Sequence, residues 1–237
     1  MQKSLLTKRL SPAAAETLRR YLTALLSLVF FALGVTLMSR SQLGISPIQS
    51  VAYVVYNRLA EHTTLGTVVL CWNCVQVLAQ WPLLGRFGWK QLVQIPLSLF
   101  LGVMVDATGA LLFWLQPDTL VLRLLTVLCG VAVLSIAVCL NVSANAVMNA
   151  GEALEYAISQ RFGKKFSTVK ECTDIGCVTL AVVLSFLFFG RWRFDIVGAG
   201  TLLSATLAGL GVRLLNPWIK PAVERFCTGK SSKHTSA

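Results

Sequence analysis

Long apolar runs alternate along this chain with short polar punctuation. Six runs are long enough to cross a bilayer as helices: 21–38, 65–84, 92–115, 120–140, 166–189 and 196–215. A hydrocarbon core of ~30 Å takes about 20 helical residues per crossing. Two further apolar segments, 46–60 and 146–160, are shorter, and at 1.5 Å per residue each would extend about 22 Å. These two either tilt, re-enter, or continue as broken helix. Gly44-Ile45-Ser46-Pro47 predicts a break before the first, because glycine is permissive and proline suits a helix's first turn. Asn149 to Gly151 supplies a weaker break in the second.

The order of elements is duplicated. Each half holds a long span, a polar short segment, a hydrophilic link, a long span, a Gly-Arg-aromatic turn and a last span. The turns are Gly85-Arg86-Phe87 and Gly190-Arg191-Trp192, and Cys71-Trp72-Asn73 stands where the second half has Cys172-Thr173-Asp174. The predicted fold is therefore an all-α, polytopic transmembrane helical bundle of about eight helical segments in two repeats, two segments being short and spanning or re-entrant. Its divisions are a basic N-terminal segment 1–20, repeats 21–115 and 116–218, and a basic tail 219–237. If both short segments cross, the repeats are parallel; if both re-enter, six crossings leave them inverted. Thr168 and Glu171 have capping-box spacing near the start of one span, and Gly200, Ser204 and Ala208, with Gly198, Ala205 and Gly209 beside them, suit close helix packing in the last.

Composition agrees with the pattern: 55% of the 237 residues are hydrophobic, 13% are charged, and the mean hydropathy is +0.69. A soluble domain of this size rarely has that balance. The net charge of +11 does not point to nucleic acid. Lys3, Lys8, Arg9, Arg19 and Arg20 precede the first span, and Lys220, Arg225, Lys230 and Lys233 follow the last. Positive flanks mark the cytoplasmic side, so both termini are expected there, with the N-terminal run an uncleaved start. The seven cysteines are scattered through apolar sequence and read as reduced core residues.

The chemistry-bearing groups lie at membrane depth. Read as one helix, Asn141, Asn145, Asn149, Glu152 and Glu155 occupy a single face about 80° wide. Such a face cannot meet lipid: it needs water, a protein partner or a proton. It lines a polar pathway, or its glutamates pair with Arg161, Lys164 or Lys165 near the interface. Gln42, Ser46, Gln49 and Ser50 fall around the Gly/Pro break, and Asn73, Gln76 and Gln80 form a stripe on the next span; these groups are either part of a site or, for the amides, interhelical glue. Asp106, near the centre of its run, and Asp174, with Lys170 one turn before it, complete the candidate substrate-binding set. Cys71 and Cys74 form a CxxC inside a helix, a poor place for a reactive thiolate. Phosphate loops, dinucleotide fingerprints and zinc or nucleophile motifs are missing from the sequence. No catalytic residue, metal site or cofactor is expected.

Three stretches, "FALGVTLMSRSQLGISPIQSVAY", "MNAGEALEYAISQRFGKKFSTVKECTDIG" and "VGAGTLLSATLAGLG", resemble the bacterial YczE/YitT type of small integral membrane protein. The YitT branch has glycines where Ser46-Pro47-Ile48 stand here, which brings the chain nearer the YczE branch. The resemblance implies residence in a bacterial cytoplasmic membrane and carries over no catalytic residue.

Repeats, discontinuous short helices and buried polar groups together suggest a secondary transporter or permease for a small polar solute or ion, not an enzyme. The alternative is a non-transporting scaffold or accessory protein for a partner enzyme or complex. Expected partners are the lipid bilayer and a small polar solute or a coupling proton or cation, with a protein partner or homo-oligomer left open and nucleic acid excluded.

Overall fold

The computed structural model describes residues 12–85 and 88–228, and these residues are helical without strands. The helices are α1 Pro12–Ser41, α2 Pro47–Leu59, α3 Leu65–Leu84, α4 Trp89–Leu111, α5 Leu120–Ala144, α6 Ala150–Phe162, α7 Phe166–Phe189 and α8 Ala199–Thr228. All but α2 and α6 are long and apolar enough to cross a membrane. Leu78, Trp81, Leu99, Phe186 and Leu187 lie exposed on their outer faces. With no water in hydrocarbon, each span satisfies its backbone internally, which is why helices carry the crossing. The chain is an all-α, multi-pass integral membrane protein.

Local sequence sets the breaks. The side chains of Thr64, Thr119 and Asn149 accept from backbone N–H groups at the starts of α3, α5 and α6. Gly85, Gly163 and Gly190 close α3, α6 and α7 with left-handed backbone, which costs glycine no steric strain. Gln42 and Asn145 have φ of 56° and 47°, and each directly follows the first helix of its half. That turn ends α1 and α5, and short non-helical runs then lead to Pro47 and to Asn149. The capping-box spacing of Thr168 and Glu171 is not used as a cap: α7 already begins at Phe166, with Lys165 in the cap position. Helix α1 reaches back to Pro12 and α8 continues through Pro217 and Pro221, so regular structure runs past both basic boundaries. Lys3, Lys8, Arg9, Arg86, Phe87, Lys230 and Lys233 lie outside the described residues.

Contacts between helix ends establish the topology. Arg20 at the start of α1 donates to the Ala144 carbonyl ending α5, and Arg19 donates to Phe226 near the end of α8, defining a termini end. At the far end, Arg40 of α1 donates to Gly109 of α4, and one cavity joins these residues to Asn57, Thr64, Gln116 and Arg193. Helix α2 therefore finishes at the far end, and α6, leading into α7, finishes at the termini end. Their starts meet inside the bundle. Ser50, in the first turn of α2, donates to Cys177 midway along α7, while Gly151 of α6 lies beside Ile48 of α2 and Gln76 of α3. Both short segments re-enter, six helices cross, and α1 to α4 run opposite in direction to α5 to α8.

The halves interlock. Helix α2 packs on α7, α6 packs on α3, and α1 packs along α5 at the centre. At that centre a methyl on Gly34 would sit 2.6 Å from Leu134 Cγ, so only glycine permits the approach. Between α3 and α4 the fit is tighter still, with a methyl on Gly66 only 2.0 Å from the Gly102 carbonyl oxygen. Gly198, just before α8, and Gly200 within it press on Leu43, and Gly211 presses on Ser135, whereas Gly209 has no neighbour within 4 Å of the position a methyl would take.

Candidate functional site

The two re-entrant helices bring their N-termini together at mid-bundle. A methyl on Gly151 would lie 2.4 Å from Ile48 Cδ1 and 3.5 Å from Gln76 Oε1, so glycine lets the first turns of α2 and α6 touch. Trp72 of α3 steadies the junction by donating to the Ile48 carbonyl at 2.8 Å. Gln80 donates to Gln94 Oε1 at 2.8 Å and approaches the Ala150 carbonyl at 3.4 Å. Helix N-termini present unpaired N–H groups and positive dipole ends, so the junction favours acceptor groups.

Around it are polar atoms without a partner among the described residues. Ser46 Oγ and Gln49 Oε1 belong to the start of α2; Asn73 Oδ1 and Nδ2 and Gln76 Oε1 belong to α3. Gln49, Asn73 and Gln76 are 1%, 0% and 3% exposed. A buried amide left dry costs roughly 1–3 kcal/mol. Five such atoms in one small region call for a polar guest or ordered water, and they offer it both donors and acceptors.

The polar stretch from Asn141 to Glu155 is not one face. The left-handed turn at Asn145 ends α5, and α6 starts only after Asn149, so the five residues part company. Asn141 stays in α5, where its amide donates to Ser27 Oγ of α1. Asn145 is exposed. Asn149 is consumed in capping α6. Asn141 and Asn149 still line a common cavity of about 10 Å³ with Gln94 and Ser98, the size of one water.

Glu152 and Glu155 fall on α6, and the partner of Glu155 is none of Arg161, Lys164 and Lys165. Lys170 of α7 lies 3.4 Å from Glu155 Oε1 and 3.5 Å from Asp174 Oδ2, and Thr173 Oγ1 donates to Glu155 Oε1 at 3.3 Å. Glu155 is 1% exposed and its Oε2 has no partner among the described residues. Asp174 thus joins the two glutamates, while Asp106 does not. Asp106 lies near the far end of α4, where its carboxylate accepts from Thr64 Oγ1 and from the Gly66 amide, both at 2.7 Å. The two free thiols of the CxxC, Cys71 and Cys74, are exposed and half-buried respectively.

A polar vestibule of about 760 Å³ opens at the far end, lined by Arg40, Gln42, Tyr53, Asn57, Asp106 and Arg193 among others. Arg193 pairs with Asp195 and lies 5.0 Å over the Phe189 ring. Its hydrogen bonds to Asp195 raise its proton affinity above the ordinary guanidinium value, so it remains a cation. The vestibule residues other than Asp106 and Gln42 carried no sequence signal, because loops and four different helices contribute them. Lys170 and Thr173 were closer to legible: Lys170 stands one turn before Asp174, which marks an i,i+4 pair but not its reach to Glu155.

No curated protein and no solved structure matches the chain. One family model spans residues 18–217, from the first turns of α1 to the first proline within α8, and so takes in both re-entrant helices and the groups around them. On that match the chain belongs to DUF6198, a family of unknown function.

Proposed function

We propose that this protein is a secondary transporter or permease for a small polar solute or ion, built from two inverted copies of a four-helix unit. The observation that carries the proposal is the mid-bundle junction, where two opposed half-helices start beside the unpartnered Ser46, Gln49, Asn73 and Gln76. Discontinuous helices whose ends point at a central site are the recurrent construction of secondary transporters. Access supports it too: a polar vestibule of about 760 Å³ opens at the far end, and rocking of the interlocked halves would move that opening to the termini side. A non-transporting scaffold gives no reason to leave those amides unpaired.

The flanking arginines and lysines support cytoplasmic termini, and the resemblance to YczE/YitT-type proteins supports residence in a bacterial cytoplasmic membrane. The far-end vestibule then faces outward. The test is re-swelling of osmotically shrunken proteoliposomes, followed by light scattering, across a panel of small neutral solutes, organic acids and salts. At least one class should enter faster than into protein-free vesicles, and Gln76→Leu should abolish that excess. Rates equal to protein-free vesicles for every class would end the transport proposal.

A further inference from the structure

The carboxylates between α6 and α7 do not balance their charge. Among the described residues, Glu155 and Asp174 share one cation, Lys170, whose side chain is 46% exposed, and Glu152 lies within its electrostatic reach. The elements packed against α6 are α3 and α7. From α7 come Lys170, Asp174, the hydroxyl of Thr173 and the thiol of Cys177; α3 brings the uncharged Gln76 and Gln80 to the start of α6. No second cation reaches the cluster from either. No three acidic, histidine or cysteine side chains among the described residues are arranged to hold a metal ion. Asp174, at 17% exposure, shares Lys170, while Glu155, at 1%, keeps an oxygen with no partner among the described residues.

We propose that Glu155 is a proton-binding site, occupied while α6 and α7 are packed together and emptied when they part at the termini end. An ionised carboxylate with one bare oxygen is costly in so dry a place, whereas a carboxyl group there leaves Lys170 to Asp174. Separation of α6 from α7 admits water to Oε2; the O–H bond breaks, the proton passes to that water, and the carboxylate is left hydrated. Low pH therefore favours the packed arrangement. The same event would couple a proton gradient to alternation of access, and that part rests on the transport proposal; proton binding itself does not.

The test is infrared absorption of the purified protein near neutral pH. The protonated-carboxyl C=O band, identified by its shift in D2O, should be present in wild type, absent in Glu155→Gln, and retained in Glu152→Gln and Asp174→Asn. Lys170→Met made together with Asp174→Asn should leave the band at its wild-type intensity, because Glu155 already carries its proton. Absence of a Glu155-dependent band, or a gain of about one group in that double variant, would overturn the proton site, the gain meaning that Lys170 had held Glu155 ionised. Should Glu155→Gln fail to fold, the double variant still decides. Silent vesicles in the re-swelling assay would instead remove the coupling role and leave the proton site standing.

Discussion

Asp106 has two competing roles, ligand in the far-end vestibule or latch at the start of α3, and its removal distinguishes them. The carboxylate closes the N-terminus of α3 from outside, accepting from Thr64 Oγ1 and the Gly66 amide at 2.7 Å each. Hydrogen bonds to a charged group contribute about 1.5–3 kcal/mol apiece, and an anion at a helix N-terminus adds roughly 0.3–1 kcal/mol. Asp106 is only half-buried, so water replaces part of what is lost and the lower end of that range applies. Asp106→Ala should destabilise the protein by about 3 kcal/mol. Asp106→Asn keeps one carbonyl acceptor and should lose about 1–2 kcal/mol. Both are measurable by reversible SDS titration in mixed micelles followed by tryptophan fluorescence. Solute entry per folded molecule should be unchanged in Asp106→Asn. Stability of the alanine variant within about 0.5 kcal/mol of wild type, or equal losses in the two variants, would refute the latch.

Three further outcomes follow from the packing and the polar groups. Gly66→Ala forces a methyl to 2.0 Å from a backbone oxygen, short of an ordinary contact by about 1.3 Å, and should cost several kcal/mol or prevent folding. Gly151→Ala meets only the flexible end of Ile48, so it should cost about 1–2 kcal/mol and be rescued by Ile48→Val; thermal unfolding of the pair and the double variant checks this. Gln76→Leu removes an unpaired oxygen without leaving a hole, so its melting temperature should equal or exceed wild type even as solute entry disappears; a large loss of stability would mean the amide has a structural partner.

The apolar runs reveal the crossings because a lipid-facing helix must be apolar over its whole length, and the boundaries of α3 and α7 coincide with the ends of their runs. The stripe of Asn73, Gln76 and Gln80 was equally legible, since an unbroken helix preserves its periodicity: all three are buried. Periodicity failed from Asn141 to Glu155. Asparagine is among the few residues that adopt left-handed backbone without glycine, and nothing in its neighbours distinguishes Asn145, which ends a helix, from Asn141, which sits inside one. The depth of Asp106 was misjudged for a related reason: the apolar run continues to Leu115, but the helix stops at Leu111, which moves Asp106 from mid-span to the far end. The direction of the short segments also lay beyond a linear pattern, because it is decided by which distant helices they touch.

The exchange of half-helices has a consequence for biosynthesis. Helix α2 finds its packing partner α7 only after the ribosome has made everything between Leu59 and Phe166, roughly 100 residues and ~5–20 s at ordinary elongation rates. For that interval a nascent first half holds Gln49 and Ser50 on a re-entrant segment with its main docking surface still unmade. Insertion of the first four helices is therefore provisional, and the earliest stable product is the whole chain: a ribosome stalled before α7 leaves a half that is in the membrane, unclosed, and a natural target for a quality-control protease.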